Sequence, residues 1–406
     1  MINEATREYV MAHRKEDVRQ LALKSGGRAS GIDLPLALQQ IAGWQTACKK
    51  LPSWAAIDKI VYPPHLNMEQ CSSEQTARYK ERLVRELGLA SACVDLTGGL
   101  GVDFSWISRP FGRRVYVERN AELCEMARHN FQVLGLEAEV VCGDAEDYLK
   151  EMGHVDMAFL DPARRDQYGG RTFGIADCTP NVLGLLPLLL RKASTILLKL
   201  SPMLDWQQAV RDLRHVSEVH IVSVDNDCKE LLMVVQDRSP MAQGEEETAS
   251  RLTIHCVNLL TKGGEQHFDF TYAGNAQLLP SAAGIVPSYL YEPNASIMKA
   301  GCFQELEMRF PIRQLAANSH LFVSDEHVGT FPGRCFQVMA TTSMNRQELK
   351  VALQDVTQAN VAVRNFPMTA EALRRKLKLR DGGTVFIFGT TLADVSHQLF
   401  ICRKIG

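Results

Sequence analysis

The spacing of apolar positions along the chain changes character near residue 93. From residue 1 to about 50 they fall at mixed helical spacing, with Val18, Leu21 and Leu23 followed by Leu34, Leu36, Leu38 and Ile41, which predicts short helices. Pro52, Pro63 and Pro64 then punctuate an extended stretch. Ser72, Ser73 and Glu74 read as a helix start, because a serine hydroxyl accepts from the free amides of a first turn and a carboxylate suits its positive end. That helix is expected to run through Tyr79 and Leu83 to Gly88.

From Cys93 onward, short apolar runs alternate with helical segments such as Ala121 to Leu134. Strands are expected at Cys93 to Thr97, Arg114 to Glu118, Ala138 to Cys142, Met157 to Leu160, Thr195 to Leu200, Val219 to Val224 and Leu231 to Gln236. This alternation predicts a mostly parallel sheet covered on both faces. The polar run Ser239 to Ser250 reads as an exposed loop. Strands at Leu252 to Leu259 and His267 to Tyr272 follow, then a Gly/Pro-punctuated segment to about Ala317, then an α+β block from Leu321 to the end.

Composition narrows the class. The 406 residues are too many for one typical core, and 46% hydrophobic with 23% charged residues is ordinary for a soluble globular protein. A formal net charge of −2 gives no global attraction to phosphate, so nucleic-acid binding would need a local basic surface. Eleven cysteines scattered singly, with no C-x-x-C pair, fit neither a zinc site nor a disulfide framework; no metal and a reduced, cytoplasmic setting are expected. The charged N-terminus lacks the apolar stretch of a secretory signal, and runs such as Val182 to Leu190 are too short to span a membrane, so no membrane association is expected.

The chemistry gathers at the ends of the early strands. The first ends in Asp95-Leu96-Thr97-Gly98-Gly99-Leu100-Gly101-Val102-Asp103. Glycines at a strand-to-helix turn let backbone approach a ligand in the crevice where open α/β sheets bind. The second strand ends at Glu118, a little over 20 residues beyond Asp95, where a carboxylate can accept both hydrogen bonds of a ribose diol. The third ends at Asp144, suited to an adenine amine, and the fourth at Asp161-Pro162. A dinucleotide is the rival ligand, but pyrophosphate needs a helix N-terminus free of negative charge, and Asp103 would sit there. An acidic cradle favours S-adenosylmethionine, which carries a sulfonium and an ammonium and no phosphate.

These residues resemble the successive motifs of class I S-adenosylmethionine-dependent methyltransferases, with Thr97 standing where the first glycine of D-x-G-x-G-x-G is usual. The wider resemblance rests on Leu51 to Lys80, DLTGGLGVD, LDPARRD and Val361 to Gly383, which look like the bacterial methyltransferases with a THUMP-like C-terminal domain. Such proteins also carry a ferredoxin-like insert, which Pro287 to Phe310 would match. The resemblance implies a helical region over 1–90, a Rossmann-like methyltransferase domain over 91–240, a linker, β-hairpin and ferredoxin-like domain over 241–318, and a THUMP-like α+β domain over 319–406. It implies cofactor contacts at Asp95, Thr97, Gly98, Gly99, Gly101, Asp103, Glu118, Arg119, Asp144, Ala145 and Asp161, with Thr76 on a helix whose Ser73, Glu74, Thr76 and Tyr79 read equally as a lid over the cofactor or as a helix cap with a packing tyrosine. By analogy with true THUMP domains, the implied acceptor is RNA, read as a single-stranded or flipped base.

On the acceptor side, Asp161, Pro162 and Arg164 are expected to act at the methyl group, while Arg165, Tyr168 and Arg171 could grip a phosphate and stack a base. Arg374, Arg375 and Lys376, with Arg364, Lys378 and Arg380, form a basic stretch that could bind phosphate or serve as a solvated face. No cysteine follows Lys199-Leu200-Ser201-Pro202, which argues against a covalent 5-methyluridine mechanism. Lys199 itself is either a pocket base with its pKa lowered by burial or a strand-end lysine reaching for water. Asp227 to Glu230 read as a hairpin turn. Two alternatives stay open: a small-molecule or protein methyltransferase, and a non-catalytic RNA-binding protein that kept the fold.

Overall fold

The computed structural model describes residues 2–24, 31–164, 174–237, 252–272, 274 and 287–405. The chain divides into two compact units, residues 1–219 with 230–248, and residues 220–229 with 249–406. The expected loop at 239–250 lies outside the described residues, as do Arg165, Tyr168 and Arg171. Among the described residues no helix is long and apolar enough to cross a membrane.

In the first unit, β1 (Ala92–Asp95), β2 (Arg113–Glu118), β3 (Glu139–Cys142), β4 (Val155–Leu160) and β7 (Ala193–Leu200) pair in parallel in the order β3-β2-β1-β4-β7. Between β4 and β7 the short strands β5 (Ala163–Arg164) and β6 (Cys178–Thr179) make their own antiparallel pair. The hairpin of β8 (Val216–Val224) and β9 (Asp227–Val235) closes the series, with Leu231 to Val235 of β9 antiparallel to β7. The strands are legible because their centres are apolar runs: Met157, Ala158, Phe159 and Leu160 are 0–1% exposed, as are Leu231 to Val235. The direction of the crossovers reverses between β1 and β4. That reversal opens a crevice at the carboxyl ends of these strands.

Helices fill the faces. The expected cap holds, with Ser73 Oγ accepting from the Thr76 amide at the start of the helix Glu74–Glu86. Ahead of it, the helices Leu34–Lys50, Pro52–Ala55 and His65–Gln70 bury Ala47, Leu51, Trp54 and Met68 with Val102 and Trp106, so this region shares a core with the cofactor turn.

The second unit holds the antiparallel pair β10 (Thr253–Leu259) and β11 (Glu265–Thr271). It also holds a seven-stranded sheet formed by β12 (Tyr289–Pro293), β13 (Arg313–Gln314), β14 (Phe322–Ser324), β15 (Gly333–Thr342), β16 (Asn360–Arg364), β17 (Val385–Thr391) and β18 (His397–Ile405), in the order β13-β14-β12-β15-β18-β17-β16. Phe336, Phe388 and Phe400 centre one face, and Leu373, Ile387 and Leu399 the other.

Candidate active site

The turn after β1 is locked from both sides. Asp95 is 2% exposed and accepts from the Thr97 amide at 2.9 Å. The Thr97 hydroxyl accepts from the Asp161 amide at 2.6 Å, tying the ends of β1 and β4 together. Threonine at the place of the usual glycine thus supplies a clamp that glycine lacks. Gly98 has no space for a side chain, since a Cβ there would lie 2.2 Å from the Tyr116 ring. Gly99 and Gly101 have φ of 56° and 78°, the left-handed region that glycine adopts without penalty. Beneath them Phe104, Tyr116 and Phe131 pack edge to face or tilted at centroid distances of 5.2–5.6 Å.

The remaining acids line the same edge. Glu118 accepts from the Gly99 amide at 2.9 Å with one oxygen and from the Asn120 amide at 2.8 Å with the other. Each oxygen keeps a second lone pair for a ribose hydroxyl. Asp144 is exposed and caps the helix Ala145–Glu151, with Ala145 half-buried at its start. Arg119 is exposed beside Glu118. Asp161 is half-exposed at the mouth of the crevice and Pro162 is buried beneath it. Arg164 pairs through its backbone with Cys178.

Thr76 takes the cap position, one of the two readings open to it. It is 2% exposed, and its hydroxyl donates to the Ser73 carbonyl oxygen at 3.2 Å, completing the helix cap. The residue of this region that meets the acids is Ser72, whose hydroxyl donates to Asp103 Oδ2 at 2.7 Å.

Electrostatics divide the acids. Burial pushes the Asp95 carboxyl up to about 8, with Asp103 and Asp161 adding to the effect, and its bond from the Thr97 amide makes it a turn lock. Burial alone would raise Asp103 too, yet Lys199 and Lys80 hold it well below the usual carboxylate range. Lys199 meets Asp161 Oδ2 at 2.6 Å, Asp103 Oδ2 at 3.1 Å and Ser72 Oγ at 2.9 Å. Burial would lower its pKa, but Asp103, Asp161 and Glu230 raise it well above the ordinary lysine value. Neither alternative for Lys199 therefore stands: it does not reach for water, and it is a cation rather than a base.

Lys80 and Glu230 escape a reading of the sequence. Lys80 Nζ lies 2.7 Å from both Glu230 oxygens, and both side chains are nearly inaccessible. A signal exists nonetheless. On the helix Glu74–Glu86 the buried residues Thr76, Ala77, Lys80, Leu83 and Val84 form one stripe at i, i+3, i+4 spacing, and Lys80 is the charge on it.

These residues fit a cofactor that carries cations and a nucleoside. Asp103 Oδ1 is buried and receives no aligned hydrogen bond beyond the Lys80 ion pair at 3.1 Å, which leaves capacity for an ammonium. Acids at four successive strand ends around a glycine turn, on a doubly wound sheet, define the class I S-adenosylmethionine-dependent methyltransferases.

Known proteins carry this further. A crystal structure of a candidate methyltransferase from Porphyromonas gingivalis is 33% identical, with a TM-score of 0.86 and 100% of each chain covered. Uncharacterized S-adenosylmethionine-dependent methyltransferases from two strains of Mycobacterium tuberculosis are 25% identical over 345 residues, 83% of this chain and 87% of theirs. Family models for a ferredoxin-like domain and for a THUMP domain-like region match residues 289–332 and 333–404. The chain belongs to this family of S-adenosylmethionine-dependent methyltransferases with ferredoxin-like and THUMP-like C-terminal domains. The matched junction at 332/333 falls later than the expected 318/319, at the start of β15.

The basic stretch of the second unit is not uniform. On the helix Ala370–Leu377, Arg374 is bound to Asp381, whereas Arg375 is 74% exposed with Glu371 at 3.9 Å and Lys376 is exposed. Arg364, grouped with them by sequence, ends β16 and is bound to the buried Glu292 at 2.5 Å.

Proposed function

We propose that Glu118, Asp144, Asp103 and the Gly98–Gly101 turn hold S-adenosylmethionine, and that Asp161 and its loop align an RNA nucleotide with the sulfonium methyl group. Glu118 and Asp144 take the nucleoside, Asp103 takes the ammonium, and Arg119 and Ala145 frame the pocket. The observation that carries the reading is the joining of the strand ends, with Thr97 linking β1 to Asp161 and Glu118 linking β2 to Gly99. Such a joined edge holds two reactants in attack geometry, and orientation can contribute ~7 to 11 kcal/mol of the barrier. RNA as acceptor is supported by the THUMP-like match and by Arg375 and Lys376 exposed within it. A nucleotide inside a duplex could not enter the crevice, so the substrate is single-stranded or swung out. The eleven free thiols support a cytoplasmic setting.

Thermal unfolding with S-adenosylhomocysteine tests the cofactor residues. Ligand at 100 times its Kd stabilises the bound form by ~2.7 kcal/mol, several degrees for a unit of this size. Glu118→Ala is expected to abolish that shift; an undiminished shift would remove Glu118 from the site. Transfer of tritiated methyl groups to total RNA, against protein and small-molecule fractions, tests the acceptor. Label confined to protein or small molecules would refute RNA.

A further inference from the structure

Asp161 is the outer end of a charge relay. Its side chain is 41% exposed and accepts from Lys199, which is 12% exposed. Behind Lys199 stand Ser72 and Asp103, and behind them Lys80 at 0% and Glu230 at 3%. Two lysines and three carboxylates thus run from the core to the mouth of the crevice. Lys80 and Glu230 form its buried floor.

The arrangement discriminates between acceptor atoms. An amine nitrogen gains positive charge as it attacks a sulfonium methyl group, and an ammonium fixed beside it opposes that attack. A hydroxyl oxygen must shed its proton and is electron-rich until the new bond forms. It is served by an adjacent carboxylate that takes the proton and an adjacent ammonium that stabilises the oxygen. Lys199 lies 2.6 Å from Asp161 and 3.1 Å from Asp103, carboxylates that favour its charged form, so the proton falls to the carboxylate and not to the amine. Within an RNA chain the free sugar hydroxyl is the 2′ one.

Resting on the RNA reading above, we propose that the acceptor is a ribose 2′-hydroxyl, with Asp161 as its proton acceptor and Lys199 as the cation that stabilises its oxygen. The O–H bond breaks with its proton passing to the Asp161 carboxylate. The oxygen forms its bond to the methyl carbon as the carbon–sulfur bond breaks, the electron pair staying on sulfur. Asp161 then gives the proton to water through its exposed edge. Sequence reasoning points to a base; the buried lysines point to the sugar.

The test is methylation by the full-length protein of total RNA from a strain lacking the gene, followed by mass spectrometry of the nucleosides. The expected product carries the methyl mass on the ribose fragment. Methyl on a base would overturn this inference and leave the RNA reading standing. No methyl in RNA, from protein that binds S-adenosylmethionine by calorimetry, would overturn both. Asp161→Asn, an isosteric change at a half-exposed position, and Lys199→Met should each cut turnover roughly 100-fold. Calorimetric affinities for cofactor and for RNA should change less than about threefold, since neither change alters uniform binding. Lys199→Arg keeps the cation and should recover part of the rate. Full turnover in Lys199→Met would exclude the role.

Discussion

Each unit buries a carboxylate between two cations, and the two arrangements differ in what they leave open. In the second unit Glu292 is 3% exposed and is held by Arg334 and Arg364, from β15 and β16, whose side chains are 41% and 36% exposed. The register sets Glu292 opposite Arg334, so this cluster staples the ferredoxin-like and THUMP-like segments into one sheet. In the first unit Glu230 sits against Lys80, and Asp103 passes the charge to Lys199 and Asp161. One cluster has its cations at the surface and is closed by them. The other has its cations buried and ends in a solvent-facing carboxylate, the geometry of a site.

That contrast predicts unequal costs. Glu230→Ala leaves Lys80, which cannot reach water, with Asp103 as its remaining charge partner, and breaking such a buried pair costs ~3–5 kcal/mol. Glu292→Ala frees two arginines that can turn outward, for about 1–2 kcal/mol. Thermal unfolding of both variants compares them, and equal losses would dissolve the distinction. The double change Lys80→Met with Glu230→Leu sharpens it, because apolar replacement of a buried pair is often neutral or stabilising. It should recover the stability of the wild type without recovering its methyl transfer.

The sequence makes the strand ends of the first unit more legible than its floor. Strand ends are readable where the strand is a buried apolar run, so Asp95, Glu118 and Asp161 stand out at the ends of Cys93-Val94, Val115 to Val117 and Met157 to Leu160, while Asp144 follows the partly exposed edge strand β3. Thr97 reads as a weakened motif because its partner, the Asp161 amide, is 64 residues away in the chain. Lys80 and Glu230 are 150 residues apart and are invisible as a pair, although each is a charge on an otherwise apolar face. Thr76 leaves two readings open because a cap threonine and a lid threonine read alike. Arg364 is grouped with a helix by proximity, when its strand hands it to Glu292.

Asp95 gives the next largest effect, and it bears on which acids carry charge in the site. Its native pKa of about 8 lies above the ordinary 3.8, so the native state binds a proton that the unfolded state has lost. Its stabilising contribution is therefore complete below about pH 4 and disappears as the pH rises through 8, at about 1.4 kcal/mol per unit between. Asp95→Asn cannot ionise in either state. Between pH 5 and pH 7 the variant should gain about 2 to 3 kcal/mol relative to wild type by chemical denaturation. Parallel curves would mean that Asp95 is ionised in the native protein and belongs with Asp103 in the anionic cradle.

The smallest effects concern the surface of the second unit, where burial no longer separates function from packing and salt dependence must. Arg375 and Lys376 are exposed, so Arg375→Glu with Lys376→Glu should leave unfolding within about 0.5 kcal/mol of wild type. If they meet phosphate, affinity for RNA falls about tenfold near 0.1 M salt, and the slope of log affinity against log salt drops by about 1 for each phosphate no longer neutralised. Arg374 is the internal control. Its bond to Asp381 already neutralises it, so Arg374→Glu should cost stability through that broken pair and change RNA affinity less. The opposite ranking, with Arg374 dominant for RNA and the outer pair silent, would mean that Asp381 yields its partner on binding and that the interface lies on the inner edge of the helix. Silence at all three positions, with methyl transfer to RNA intact, would assign the phosphate binding to other residues of the chain and leave the basic helix end as a solvated face.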